Sequence, residues 1–217
     1  MRRDRRSCCG GGVCVGGKLA SLESKHITES VKYSCYETGC GAANPSRGVT
    51  LPDIDKPEAY SWIKSPRYMN EAYEVGPLAR MWISGFYRQG VSVMDRLLAR
   101  AYETRKIADA MAGWVQELKI GEPTRAKVEY ANSGIGVGLT EAPRGALGHW
   151  LEFRENAIRH YQILAPTGWN ASPMDESGRK GPIEQALTGT PVRDRDQPIE
   201  LLRVVHSFDP CLACSIH

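Results

Sequence analysis

The residues best suited to chemistry stand near the C-terminal end, where residues 209–217 read Asp-Pro-Cys-Leu-Ala-Cys-Ser-Ile-His. Cys211 and Cys214 are three positions apart, and Asp209 and His217 flank them. Two thiolates at this spacing can bind one metal ion or bridge two, and sulfur ligands suit zinc, copper(I), iron–sulfur and nickel–iron chemistry. A structural zinc would need two further ligands, and the sequence has no second Cys-x-x-Cys. Taken alone, the Cys-x-x-Cys motif could equally be a redox-active pair, or two thiols without a shared function.

Length and composition indicate one globular core with room for a smaller second lobe. The chain has 217 residues, 41% of them hydrophobic, and a formal net charge of +3. This small, interspersed charge argues against a nucleic-acid partner, and no run of about 18 apolar residues predicts a membrane span. Seven cysteines, an odd number split between the two ends, favour metal or redox chemistry over a disulfide framework. The Arg-rich start lacks the apolar segment of a signal peptide, so we expect no export signal.

The elements that must position the cysteines predict a mainly α fold with a small antiparallel β part. Residues 1–50 are rich in Gly and Cys and read as a loop-rich opening region, followed by a helical metal-site domain over residues 51–217. Residues 91–118 have the periodicity of one long helix. Its core-facing side is predicted to hold Val93, Leu97, Ala101, Thr104, Ala108, Met111, Val115 and Leu118.

Smaller elements are predicted further along the chain. Residues 149–153 and 158–164 alternate in polarity around a short polar link, which predicts a β-hairpin. The glycine-rich residues 133–138 lack the dinucleotide-binding spacing and are interpreted as a flexible stretch. Short helices are expected at residues 182–187 and 198–205, the second leading into the cysteine pair.

Four stretches in the same order resemble the large subunit of nickel-iron hydrogenases. They are residues 73–80 (Tyr-Glu-Val-Gly-Pro-Leu-Ala-Arg), 141–150 (Glu-Ala-Pro-Arg-Gly-Ala-Leu-Gly-His-Trp), 166–170 (Pro-Thr-Gly-Trp-Asn) and 209–217. The resemblance runs from about Gly11 to His217. It implies the C-terminal part of a subunit whose known members are substantially longer, and it implies reversible oxidation of H2 to protons and electrons.

The resemblance also implies roles for individual residues. Cys211 would be a terminal nickel ligand and Cys214 a bridge between nickel and an iron that carries carbonyl and cyanide ligands. Arg144 would lie over the metals near the cyanides, with Pro143 and Asp209 beside it. His217 would help to bind a magnesium ion near the terminus.

The sequence also departs from the family pattern. The Arg-x-Cys-Gly-x-Cys motif and the glutamates that the family places near its N-terminus are absent, so Cys8, Cys9 and Cys14 receive no ligand role. Cys35 and Cys40 are interpreted as incidental thiols. Two thiolates alone leave nickel under-coordinated, so activity requires the second pair from another chain, or this chain is an incomplete piece.

Partners follow from the same resemblance. No stretch has iron–sulfur cluster spacing, so the family's cluster-bearing small subunit is the implied route for electrons. A membrane cytochrome, reached through the complex, is a further implied partner, and a membrane-associated or periplasmic location through a partner is favoured over a cytoplasmic one. The alternative function is an incomplete, non-catalytic metal-binding or interaction fragment. Nickel and iron content per chain would discriminate the two.

Overall fold

The fold combines one long helix and four short ones with small antiparallel sheets in the described part of the chain. The computed structural model describes residues 12–40, 43–123, 125 and 131–215. The helices are α1 (Pro77–Ile83), α2 (Val93–Glu117), α3 (Pro166–Asn170), α4 (Pro182–Leu187) and α5 (Ile199–Ser207). The strands are β1 (Val13–Val15), β2 (Lys18–Ala20), β3 (Ile27–Ser30), β4 (Ser65–Tyr68), β5 (Gly134–Ala142), β6 (Gly145–Arg154) and β7 (Ala157–Leu164). Helices accompanied by a small antiparallel β part are therefore confirmed.

The strands form three antiparallel sheets, namely β1–β2, β3–β4 and β5–β6–β7. Strand β3 lies in the predicted opening region and pairs with β4 from Ile27 opposite Tyr68 to Ser30 opposite Ser65. The proposed division of the chain at residue 50 stays a prediction.

The three-stranded sheet contains the predicted hairpin, formed by β6 and β7. Glu155 and Asn156 form its turn with φ of 53° and 58°, and two left-handed residues give a turn whose twist matches that of the strands. The flexible interpretation of residues 133–138 was wrong, because β5 pairs with β6 along its whole length. Glycine has a packing role there, since a Cβ at Gly134 would lie 3.2 Å from the ring of Phe153.

The largest buried cluster joins the sheets to α3. Trp150, only 2% exposed, is among the largest fully buried side chains of the described residues. The cluster consists of Val13, Ile27, Tyr68, Trp150, Leu164 and Trp169. Burying such aliphatic and aromatic surface stabilises a fold by roughly 1.5–3 kcal/mol per side chain, so this cluster fixes the strands against α3.

Helix α2 is the predicted long helix, but the prediction of its buried face was wrong. The helix begins at a capping box in which Ser92 and Asp95 bond each other's backbone N–H. Its buried residues are Arg96, Ala99 and Glu103, which face α1 and α5. The residues expected in the core are mostly exposed, including Leu97 at 46% and Val115 at 66%. Charged side chains are buried because each has an oppositely charged partner, as described below.

No helix in the described part of the chain is both long enough and apolar enough to span a membrane.

Candidate metal centre

Cys211 and Cys214 bring their sulfur atoms together in a single helical turn. A 3-10 turn, Leu212–Ser215, follows α5, and the N–H of Cys214 donates to the carbonyl oxygen of Cys211 over 3.1 Å. Side chains three positions apart eclipse one another in such a turn. The two Sγ atoms lie 2.9 Å apart, and both side chains are half-buried.

Thr167 ties this turn to the core. The backbone N–H of Cys211 donates to Oγ1 of Thr167 over 3.1 Å. All five residues of α3 are buried, and Pro166 occupies its first turn, where a missing N–H costs nothing. The first cysteine is therefore held by a rigid element, although the turn itself lies near the end of the chain.

The two thiols differ in acidity because they share a hydrogen bond. Cys214 donates to Cys211, which lowers the pKa of Cys211, and the positive charge of Arg144 lowers it further. The same hydrogen bond raises the pKa of Cys214, and burial adds to the rise. Cys211 is therefore the thiol that ionises first. A metal that binds thiolates would displace the remaining proton of the pair.

Arg144 reaches this end of the molecule from the tight turn between β5 and β6. Its Nε donates to the carbonyl oxygen of Asp209 over 2.9 Å and lies 3.2 Å from the Oδ2 atom of the same residue. Arg144 and Asp209 are partly exposed, at 40% and 50%. The contact joins the β5–β6 turn to the segment that leads into the cysteines.

The backbone of that turn is fixed by Arg80 on α1. The Arg80 guanidinium donates to the carbonyl oxygens of Ala142 and Pro143 over 3.0 and 2.8 Å. It also donates to both carboxylate oxygens of Glu103, each at 2.6 Å, and to Glu141 at 2.7 Å. Burial raises the pKa of Glu141, and the hydrogen bond and charge of Arg80 partly offset that rise.

Close backbone packing adds to this constraint. Gly76, with φ of 125°, precedes α1, and a Cβ there would lie 2.9 Å from the carbonyl oxygen of Arg144. A Cβ at Gly145, with φ of 134°, would lie 2.6 Å from Val75 Cγ2. Both positions need glycine for conformation and for space.

The structure brings the predicted site residues together only in part. The sulfurs of Cys211 and Cys214 are in contact, Arg144 is bonded to Asp209, and Pro143 and Asp209 line one cavity of about 1250 Å³ beside α1 and α2. Cys14 lines that cavity too, whereas Cys40 is buried with Val31 and Tyr36. Positions 8, 9 and 217 of the sequence lie outside the described residues, so the magnesium role of His217 has no structural test.

Sequence reasoning missed the residues that support the site, namely Thr167, Arg80, Glu103 and Glu141. Three of them stand inside the motifs that carry the family resemblance, but their partners are 23 to 63 residues away in the chain. No local pattern marks such long-range pairs. Among the described residues, no group of three or more His, Cys, Asp or Glu side chains is placed to hold a metal ion.

Comparison with known proteins relates this chain to a family. The model of the nickel-dependent hydrogenase family matches residues 3–90 and 85–217. The periplasmic [NiFeSe] hydrogenase large subunit of Desulfomicrobium baculatum is 38% identical over 231 residues, which covers 95% of this chain and 45% of that protein. The Hydrogenase-1 large chain of Citrobacter freundii is 40% identical over 262 residues, covering 95% and 44%.

Solved structures agree with the sequence matches. The Ni-Fe-Se hydrogenase from Desulfovibrio vulgaris Hildenborough in the reduced state superposes with a TM-score of 0.92 and 35% identity, covering 100% of this chain and 50% of that one. The chain thus spans somewhat less than half the length of the curated relatives cited above. Because the family model matches nearly the whole sequence, the chain belongs to the nickel-dependent hydrogenase family.

Proposed function

We propose that this chain contributes half of the thiolate ligands of a Ni-Fe centre that interconverts H2 with protons and electrons. The observation that carries the proposal is the 2.9 Å separation of the Cys211 and Cys214 sulfurs. Metal–thiolate bonds are about 2.3 Å long for a comparable divalent ion, so one metal can reach both atoms. In this proposal Cys211 and Cys214 would hold the nickel and iron of the centre, whose iron would carry CO and CN ligands.

Each neighbouring residue has a proposed task. The bound centre would supply an electrophilic metal for splitting H2. Cys211, as a thiolate ligand of the centre, would accept and release a proton at its sulfur. The Arg144 guanidinium would present donors and positive charge to the polar groups of the centre, with its orientation set by the bond to Asp209. Pro143 would place Arg144 through the backbone that Arg80 holds.

The centre must be completed by groups beyond this pair. We propose that the second pair of cysteines comes from a polypeptide corresponding to the remainder of the large subunit, and that electrons leave through an iron–sulfur small subunit. In the same proposal His217 takes part in a magnesium site, and a membrane cytochrome is reached only through the assembled complex.

The test is metal content together with turnover in the completed enzyme. This chain is co-expressed with the missing part of the large subunit, a small subunit and the maturation machinery, and nickel and iron are counted per chain. We expect Cys211→Ser and Cys214→Ser to lose nickel and hydrogen turnover. Cys35→Ser is the matched control, because that thiol is also half-buried and is bonded through its backbone to Ser61 and Asp53 in another part of the fold.

Two results would refute the proposal. Nickel and iron absent from the completed wild-type complex would favour a non-catalytic fragment. Equal metal content in Cys214→Ser and Cys35→Ser would show that the cysteine pair is not the ligand set. Infrared bands of CO and CN provide a readout that does not depend on activity.

A further inference from the structure

Helix α2 carries an apolar stripe with the spacing of a coiled coil. Apolar or small residues recur at alternating intervals of three and four along the whole helix. We call this stripe the α2 seam, and it consists of Met94, Leu97, Ala101, Thr104, Ala108, Met111 and Val115. A strict seven-residue repeat of this kind packs against another helix with knobs in holes, and small central residues allow a close approach.

The α2 seam is exposed. Met94 is 61% exposed, Met111 54% and Val115 66%. The three small residues at its centre are exposed as well. In the described part of the chain, α2 packs mainly against α1 and α5, and its buried residues, such as Ala99, lie on the opposite side of the helix. A contiguous apolar face of this length marks an interaction surface.

Charge beside the seam argues against a second copy of this chain. Arg105 is exposed and directly flanks the seam, and Arg100 flanks it on the other side, half-buried and donating to the carbonyl oxygen of Ser207 over 2.9 Å. Parallel self-pairing would place Arg100 of one copy opposite Arg105 of the other. Antiparallel self-pairing would bring the two copies of Arg105 together near the two-fold axis. Like charges at these flanking positions oppose pairing, whereas an acidic residue on a partner helix would favour it.

The extent of the structural match points to the occupant. The whole of this chain superposes on only 50% of a related large subunit, at a TM-score of 0.92. The folds are this similar although half of the relative has no counterpart here, so that half must pack against surfaces that this chain leaves uncovered. The α2 seam is an apolar surface of that kind.

We propose that the α2 seam is the docking surface for a helix from the remainder of the large subunit. That helix would present an apolar face with an acidic residue opposite Arg105. The inference rests on the proposed function for the identity of the partner. Beyond the proposed function, the inference identifies the surface through which the two parts of the large subunit would bind each other.

The experiment measures binding without any metal. The probe is the part of the Desulfomicrobium baculatum large subunit that this chain does not match, produced as a separate polypeptide. We expect a one-to-one complex with the full chain. The double variant Leu97→Glu with Met111→Glu should weaken binding about a hundredfold, since each change removes a large apolar contact. Arg105→Glu should weaken it about tenfold, and raised salt should reduce that difference.

The matched control is Ile54→Glu, because Ile54 is 76% exposed and lies off the helix. It should bind as the unaltered chain does. Circular dichroism must show that all variants keep the helical signal. If the double variant unfolds, the binding of Arg105→Glu still tests the proposal.

Three outcomes would overturn the proposal. They are unaltered binding by the double variant, no binding by the unaltered chain, and a dimer of this chain that the double variant dissociates. A complex that binds through the seam but takes up no nickel or iron would refute the proposed function and leave the docking surface intact.

Discussion

The two faces of α2 reverse the usual distribution of charged and apolar residues. One face buries Arg96 and Glu103, and the opposite face exposes Leu97, Met111 and Val115. The buried charges are paired, Arg96 with Glu74 at 2.8 Å and Glu103 with Arg80 at 2.6 Å. The charges of one face are therefore satisfied within this chain, whereas the apolar residues of the other face remain exposed in the described part of the chain.

Breaking the charged face should have the largest effect on stability. Arg80→Gln would leave Glu103 buried without its full partner and remove donors from two carbonyl oxygens. We expect the free energy of unfolding to fall by about 3–5 kcal/mol. Urea denaturation followed by circular dichroism measures this. Arg105→Gln is the control, since an exposed arginine on the other side should change stability by less than about 0.5 kcal/mol.

A substitution in the tightly packed backbone at Gly145, beside the charged face, should have the next largest effect on stability. Gly145→Ala would force a side chain into a left-handed conformation and against Val75 and the N atom of Gly76. We expect a loss of about 2–3 kcal/mol, measured as a fall in melting temperature. Gly178 also has a positive φ, 78°, but a Cβ there meets nothing within 4 Å, so Gly178→Ala should cost less. Equal losses would show that conformation alone matters at Gly145.

A third buried ion pair, between Arg67 and Asp175 at 2.6 Å, tests whether internal charge also stabilises another part of the fold. Burial raises the pKa of Asp175, but hydrogen bonds from Ser177, Arg67 and the backbone of Arg179 outweigh that effect and lower it. A carboxyl whose pKa is lowered on folding stabilises the protein above its unfolded value of about 3.9. This stabilisation is lost as the pH falls through the folded pKa.

Asp175→Asn should therefore be about 2 kcal/mol less stable at pH 7 and should lose less stability on acidification. Denaturation curves between pH 7 and pH 3 would measure both effects. Parallel pH profiles for the two proteins would contradict the assignment of acid sensitivity to this carboxyl.

The apolar face should give the smallest effect in the isolated chain. Leu97 is 46% exposed, so Leu97→Gln should change the free energy of unfolding by less than about 0.5 kcal/mol. Leu78 on α1 is 4% exposed, and Leu78→Ala should cost about 2–5 kcal/mol. Comparable losses in the two variants would mean that the seam is buried within the chain itself.

Sequence patterns located α2, α4, α5 and the β6–β7 hairpin because their signals are local. The three-and-four spacing of apolar residues predicted α2, and the pair Glu155-Asn156 lies within the link predicted for the hairpin. The same spacing misassigned the buried face of α2. Hydrophobic periodicity identifies an apolar side of a helix, whereas the buried side of α2 holds Arg96 and Glu103, whose charges are paired.

Other features depend on distant or weak signals. Strand β5 was missed because glycine alternates with its apolar residues and disfavours strands in isolation. The cysteine pair could be located by its spacing, and the resemblance directed attention to Arg144. The roles of Thr167 and Arg80 could not be predicted, because each acts on backbone atoms that only the folded chain brings near.

Arg80 links three elements, α1, α2 and the β5–β6 turn, through one guanidinium. None of the three can separate without breaking bonds to the same group, so their opening is expected to be cooperative. Amide hydrogen exchange in Ala142 and in the buried side of α2 near Glu103 should then follow a single opening equilibrium. The backbone amides of the turn that carries Arg144 would then exchange as slowly as those in the core of a helix, although the Arg144 side chain is partly exposed to solvent.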